Sequence, residues 1–254
     1  MRISARTDVG IVRSNNQDSY AAGEFQNGVA WAVVCDGMGG NAGGNIASST
    51  AVKSISERIT SAYRETMTSS SIKNLLVTAI TNANFEIYDM AADNLDLLGM
   101  GTTVVAAIMT KNTLYIAHAG DSRAYLITKE EIRQLTRDHS VVQDLVDRGE
   151  ITPEQARTHP RKNLITRALG VDESLKVDFT VEDLKGDETL LICTDGLSNM
   201  VEPLDIYRVV ADNPHEEIAE ILVNQANENG GEDNKEKSFQ NSRFSHPTCT
   251  NFIV

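Results

Sequence analysis

The stretch 32-AVVCDGMGGNAGGNIAS-48 decides how this chain is read. It opens inside an apolar run, 31-WAVVC-35, that has the pattern of a strand buried on both faces and stops at a bare carboxylate, Asp36. Five glycines follow within the eight residues from Gly37 to Gly44. Asp-Gly is a good turn former, so the pair alone reads as a turn. A second apolar run, 189-TLLICTDGL-197, ends the same way on Asp195 and Gly196. If the two strands are neighbours, their C-terminal ends bring two carboxylates together at the edge of a core. There they repel and are poorly solvated, and a divalent cation is the usual way to offset that cost. The glycines then acquire a use, because Gly37, Gly39 and Gly40 would let backbone carbonyls and water approach an ion where a Cβ would obstruct them.

Three further aspartates extend the set: Asp18 in 13-RSNNQD-18, Asp121 in 118-HAGDSR-123 and Asp233 in 230-GGEDN-234. The constellation offers oxygen donors only, with no Cys or His at metal-binding spacing, which favours magnesium or manganese and disfavours zinc. Arg13 is the natural counterpart, since a guanidinium can hold a phosphate by two parallel hydrogen bonds.

The 254 residues, 41% of them hydrophobic, suffice for one large domain with a substantial core. A net charge of −13 argues against a nucleic-acid partner, which calls for a basic surface. The first residues hold no apolar stretch of signal-peptide length, and runs such as Val104 to Met109 are far too short for a membrane span; a cytoplasmic location is expected. Cys35, Cys193 and Cys249 form no CxxC pair, and the first two, each ending an apolar run, read as core hydrophobes.

From Thr102 the chain reads as four strands in succession, TTVVAAIM, TLYIAHA, RAYLI and IRQL. The intervening TKN, GDS and TKE are too short for crossover helices, so consecutive strands are expected to pair antiparallel. WAVVC, KVDFTV and TLLIC are further strands. Helical spacing marks Ile46 to Tyr63 with Asn45 as N-cap, Ile72 to Ala92, and a third helix after Pro214. Thr136 to Leu169 breaks the rhythm as a polar insertion with short helical pieces at Val141 to Val146 and after Pro153. Antiparallel strands with helices in separate blocks indicate α+β layers, not a doubly wound sheet.

At this point 13-RSNNQD-18, 36-DGMGG-40, 99-GMGTT-103, 120-GDSR-123, 194-TDGL-197 and 231-GEDN-234, in order and spacing, resemble the metal-dependent protein serine/threonine phosphatases of type 2C, the PPM family, closest to its compact bacterial members. The resemblance covers residues 1–234. It implies a four-layer α-β-β-α sandwich of two central antiparallel sheets flanked by helices, with a centre of two Mn2+ or Mg2+ ions at one edge. By motif, Asp36 would bridge the ions, Gly37 would lend its carbonyl, Asp195 and Asp233 would complete one shell, and Asp18 would act through water. Asp121, shared with Asp195, matches the ligand of a third, weaker ion. Arg13 would bind the substrate phosphate. The insertion at about 136–169 looks like the family's flap, which influences substrate choice. The activity implied is hydrolysis of phosphoserine and phosphothreonine in proteins by a water that bridges two ions, with no phosphoenzyme, opposing a cognate Ser/Thr kinase, by a protein expected to be monomeric.

Two departures from the family pattern stand out. Many relatives carry histidine, proposed as general acid, where this chain has Met38, which leaves metal-bound water, His139 and His159 as candidates for that proton. Residues 235–254 lack the alternating pattern of the expected last strand and carry a net charge of +2, with Lys235, Lys237 and Arg243 against Glu236. This keeps open a pseudophosphatase that binds phosphoprotein or metal without turnover. A small-molecule phosphatase is a third possibility. A haloacid-dehalogenase-type enzyme needs DxD, which Val34 and Cys193 exclude, and no P-loop GK[ST] is present.

Overall fold

The computed structural model describes residues 1–10, 15–230 and 251–253. In chain order the elements are β1 (Arg2–Ser4), β2 (Asp18–Glu24), β3 (Ala30–Met38), α1 (Gly40–Ala62), α2 (Ser69–Asp93), β4 (Gly101–Thr102), β5 (Val104–Met109), β6 (Thr113–Ala119), β7 (Arg123–Ile127) and β8 (Ile132–Gln134). Then come α3 (Val141–Asp147), α4 (Pro153–Arg157), β9 (Asp178–Asp183), β10 (Thr189–Cys193), α5 (Asp195–Ser198), α6 (Pro203–Asp212), α7 (His215–Gly230) and β11 (Asn251–Ile253). One sheet runs β2-β3-β5-β6-β9, with β4 also paired to β3; the other runs β1-β11-β10-β7-β8. Every ladder is antiparallel except the two that flank β11, which are parallel.

Strand alternation sorts the apolar residues into layers. Trp31, Val33 and Cys35 of β3 face Ile55 and Ile59 of α1 and the Leu76, Ile80, Ile87 stripe of α2. The alternate residues Ala30, Ala32 and Val34 face the second sheet, meeting Ala124, Leu126, Leu190 and Ile192. The outer face of that sheet, with Tyr125, Ile127, Leu191 and Cys193, packs on Ile206 of α6 and Ile218 and Leu222 of α7. Three cores therefore separate four layers, the α-β-β-α sandwich expected. Both faces of β3 and β10 are covered, which is why their sequences read as continuous apolar runs. Cys35 and Cys193 are core residues whose thiols burial pushes up, Cys193 to about 12; Cys249 lies outside the described residues.

Three expectations need correction. The strands RAYLI and TLYIAHA do not pair: β6 lies between β5 and β9, and β7 between β10 and β8. The GDS segment is a corner between sheets, turned by Gly120 at φ 112°. The first helix begins at Gly40, not after Asn45, with Gly39 as its N-cap. Intrinsic propensity disfavours glycine in a helix, but a Cβ at Gly43 would come within 2.9 Å of Met100 and one at Gly44 within 2.8 Å of the Gly37 carbonyl carbon. The glycines let these turns pack where a better helix former would collide. Finally, α6 was not anticipated, although Pro203 opens it at the first helical turn and Ile206 is buried beneath it.

The polar insertion has the short helices expected. Ser140 caps α3 and a Thr152–Gln155 capping box opens α4. Both its ends are tied down, Ser140 bridging to Ile165 and Leu169 to Thr102.

Candidate metal centre

Four of the five sequence-predicted aspartates converge at one edge of the sandwich. Asp18 opens β2 directly opposite Asp36. Asp36 is not the end of its strand, because β3 continues through Gly37 to Met38, which pairs with Gly101 of β4. Asp195 follows β10 in the other sheet, so the two Asp-Gly strands are not ladder neighbours but face each other across the sandwich. The Asp195 carboxyl nonetheless comes close enough to raise the proton affinity of Asp36, and Asp121 approaches from the corner between β6 and β7. Arg13 and Asp233 lie outside the described residues.

Packing like charges this closely raises their proton affinity. Burial, then the charges of Asp18, Asp195 and Asp121, push Asp36 well above the ordinary carboxylate range. Asp121 is pushed up to about 7, chiefly by burial and then by Asp195 and Asp138. Arg123, whose charge offsets only part of the rise at Asp121, is committed to Asp138 by contacts of 2.7 to 3.1 Å. Among the described residues no lysine or arginine forms an ion pair with Asp36, Asp121 or Asp195. An all-oxygen donor set with uncompensated charge is what a hard divalent cation fits.

The scaffold around Asp36 was only partly foreseen. Its N–H donates to Thr103 Oγ1 at 3.0 Å, and its carbonyl accepts from Thr103 N and Thr102 Oγ1, both at 2.9 Å. Thr103 Oγ1 also meets Ser122 Oγ at 2.6 Å. Thr194 Oγ1 donates to Asp18 Oδ2 at 3.0 Å, and Asn199 Nδ2 to Asp195 Oδ2 at 3.1 Å. The threonines carried a signal in the sequence, as two hydroxyls opening an otherwise apolar strand in GMGTT. The glycines serve backbone packing more than ion access. A Cβ on Gly37 would lie 2.0 Å from the Gly44 carbonyl oxygen, and one on Gly39 2.5 Å from Met100 Cα, whereas Gly40 has open space around it.

A cavity of about 350 Å³ opens on these carboxylates, lined by Asp18, Asp36 and Asp195 and, from the insertion, by Lys162 and Asn163. Met38 does not reach into it as an acid would. Its Cε lies over Gly101 beside Val171 Cγ2, each within 3.0 Å of where a Gly101 Cβ would sit. Neither candidate histidine lines the cavity. His159 accepts from Arg161 N at 3.1 Å. His139 is 1% exposed, accepts the Gly120 N–H at Nδ1, and therefore turns a protonated Nε2 to Asp178 Oδ2 at 3.1 Å. His118, His139 and Asp178 do bring ligand atoms within 4.8 Å of one another. Arg167 Nη1, 3.0 Å from both His139 Nε2 and Asp178 Oδ1, already takes the place of a cation there.

The Protein phosphatase 2C family model matches residues 8–235. The chain is 41% identical over 238 residues to the serine/threonine phosphatase stp of Listeria monocytogenes, covering 92% of this chain and 93% of that protein. Among solved structures it is similar to the serine/threonine phosphatase Stp1 of Staphylococcus aureus, with a TM-score of 0.82 and 34% identity over 91% of this chain and 92% of that one. The catalytic domain of the serine/threonine protein phosphatase PstP in complex with two manganese ions matches with a TM-score of 0.77 and 34% identity, over 90% of this chain and 92% of that one.

Proposed function

Because the chain belongs to the protein phosphatase 2C family, a family of metal-dependent serine/threonine phosphatases, we propose that it hydrolyses phosphoserine and phosphothreonine in proteins by direct attack of water. The observation that carries this reading is the convergence of Asp18, Asp36 and Asp195 on one cavity, with Asp121 near enough to raise Asp36 and, among the described residues, no lysine or arginine in an ion pair with Asp36, Asp121 or Asp195. Two Mn2+ or Mg2+ ions bound there would acidify and aim the attacking water and neutralise the phosphoryl oxygens.

The chain's own residues divide the remaining work. Asp36 would bridge the two ions with help from the Gly37 carbonyl, Asp195 and Asp233 would close one shell, and Asp18 would act through water. Asp121 and Asp195 would hold a third ion. Thr102 and Thr103 grip the Asp36 peptide from both sides, so its carboxylate enters the cavity in one orientation. Arg13 would clamp the substrate phosphate by two hydrogen bonds. Lys162 and Asn163 bring the flap to the cavity, where they would meet the residues flanking the phosphorylated one. We assign as its setting the cytoplasm, as a monomer opposing a Ser/Thr kinase; among the described residues no helix is long and apolar enough to cross a membrane. The non-hydrolysing alternative is not favoured, since the chain is similar over most of its length to serine/threonine phosphatases.

The test is manganese-dependent hydrolysis of a phosphothreonine peptide and of para-nitrophenyl phosphate, with Asp36→Asn as control. Activity that survives both a chelator and that substitution would overturn the reading. Hydrolysis of a sugar phosphate but of no phosphopeptide would move the enzyme to small-molecule substrates.

A further inference from the structure

The corner Gly120–Ser122 carries the chain from one sheet to the other and so lies outside any regular ladder. Its placement must come from contacts on either side. On one side stands Thr103, which holds Asp36: a Cβ on Gly120 would lie 2.6 Å from Thr103 Cβ, and Ser122 Oγ meets Thr103 Oγ1 at 2.6 Å. On the other side stands His139. Its N–H donates to the Gly120 carbonyl at 2.9 Å, and its Nδ1 accepts the Gly120 N–H at 3.1 Å, so one residue satisfies both backbone polar groups of Gly120. The contact is buried, where an unsatisfied N–H is costly.

The ring that makes this contact is held in turn. It stacks on His118 with centroids 4.7 Å apart and planes 6° from parallel. Its Nε2 donates to Asp178 Oδ2 at 3.1 Å, and Arg167 pairs with the same carboxylate at 3.0 Å. The His139 carbonyl accepts from Thr166 N at 2.8 Å. Residue 139 lies at the start of the flap, and Thr166 and Arg167 lie at its end, so both roots of the flap meet at this one histidine.

We propose that His139 is a positioning residue for Asp121, setting the corner that carries this carboxylate and thereby joining the seating of the flap to the metal site on that side of the centre. The inference rests on reading Asp121 as a metal ligand. It acts through Gly120, and His139 itself touches no reacting atom. The side chain's two nitrogens have separable duties, Nδ1 for the corner and Nε2 for Asp178.

Substitutions can separate those duties. In His139→Asn the amide oxygen stands near the Nδ1 position and can still accept the Gly120 N–H, whereas in His139→Gln the amide reaches toward Asp178 and abandons the corner. Mn2+ binding to full-length wild type, His139→Ala, His139→Asn, His139→Gln and Asp121→Asn would be followed by calorimetry and by electron paramagnetic resonance of free Mn2+, with near-ultraviolet circular dichroism as the check of folding. Asp121→Asn is expected to remove the most weakly bound ion. His139→Ala and His139→Gln should weaken that same ion about tenfold or more, as loss of a supporting contact does at metal sites, while His139→Asn stays within about threefold of wild type and the tighter ions are unchanged. If His139→Ala does not fold, the contrast between Asn and Gln decides. Equal affinities in those two variants, or wild-type binding in His139→Ala, would overturn the proposal. Unchanged binding in Asp121→Asn would instead overturn the ligand reading beneath it.

Discussion

The carboxylate centre and the histidine cluster at the root of the flap stand on opposite sides of the Gly120 corner, and they treat buried charge in opposite ways. In the first, burial and mutual repulsion hold Asp36 and Asp121 well above the usual carboxylate range, and among the described residues no lysine or arginine forms an ion pair with either. In the second, burial again pushes Asp178 upward, but hydrogen bonds from His139 and Arg167 outweigh it and hold the carboxyl below its ordinary value. Both clusters contain acids at a sheet edge. The difference teaches that an acidic cluster indicates a ligand only where the fold supplies no counter-charge, and that a charge-balanced cluster with good metal-ligand chemistry is scaffold.

The comparison breaks most directly at Asp36. Asp36→Asn removes one of the converging charges and is expected to lower kcat/KM by at least about a thousandfold, on the order of 4 kcal/mol of transition-state stabilisation. The same variant should melt higher than wild type without metal and lose the Mn2+-induced rise in Tm. A metal-free variant less stable than metal-free wild type would show that the carboxylates do not repel.

Gly37→Ala strikes the first region alone. Its Cβ would meet the Gly44 carbonyl at 2.0 Å, backbone against backbone with no flexible side chain to yield. A loss of about 3 kcal/mol or more is expected by denaturant unfolding, with amide exchange at the His139–Asp178 cluster slowed as in wild type under native conditions. Wild-type stability would mean that α1 is not seated on β3 as described.

The pH dependence sharpens the contrast because the two regions carry opposite signs. Folded metal-free protein keeps protons on Asp36 and Asp121 that the unfolded chain releases above 3.8. This contribution to stability is full in acid and is lost as pH rises, for Asp121 through about 7. His139 runs the other way. Burial, opposed only in part by Asp178, holds its folded pKa at about 4 against 6.5 unfolded, so acidification below 6.5 protonates the unfolded chain first and stability falls. With saturating Mn2+ the carboxylate contribution is suppressed, and unfolding free energy should drop by about 2 kcal/mol from pH 7 to pH 5. With a chelator the slope should flatten or reverse. Equal slopes in the two conditions, measured by urea unfolding, would erase the distinction.

Thr103→Val tests the joint between the regions and has the smallest expected effect. It leaves the buried Asp36 N–H without its acceptor and breaks the contact with Ser122, for a cost of about 1–2 kcal/mol. Some loosening of Mn2+ binding should accompany it. A neutral result in both measurements would show that β3 alone holds Asp36.

Much of this was legible in the chain. The Ile72, Leu75, Leu76, Ala79, Ile80, Ala83, Ile87 stripe predicts α2 because helical period depends only on local spacing. The Asp-Gly repeats identified the centre because each motif is a short contiguous signature. Less legible were the start of α1 at Gly40, the sheet change at Gly120, and the duties of Thr102, Thr103 and His139. Each depends on a contact between residues distant in sequence, such as Asp36 with Thr103 or Gly120 with His139, and for these the local pattern is silent or misleading. Glycine content argued against a helix at residues 40–45, and a three-residue turn argued for a hairpin.

The sequence by itself determined the residue chemistry: apolar runs long enough for strands covered on both faces, oxygen-only ligands at their ends, and an acidic chain unsuited to nucleic acid. Only the tertiary structure decided that the two Asp-Gly strands meet by facing across a sandwich, that Gly37 and Gly39 make room for backbone packed against them, and that His139 is buried against the Gly120 corner outside the lining of the cavity. The reason is physical. Chemistry belongs to single side chains, whereas the charge balance, burial and hydrogen-bond partners that turn a side chain into ligand or scaffold exist only once distant segments are packed together.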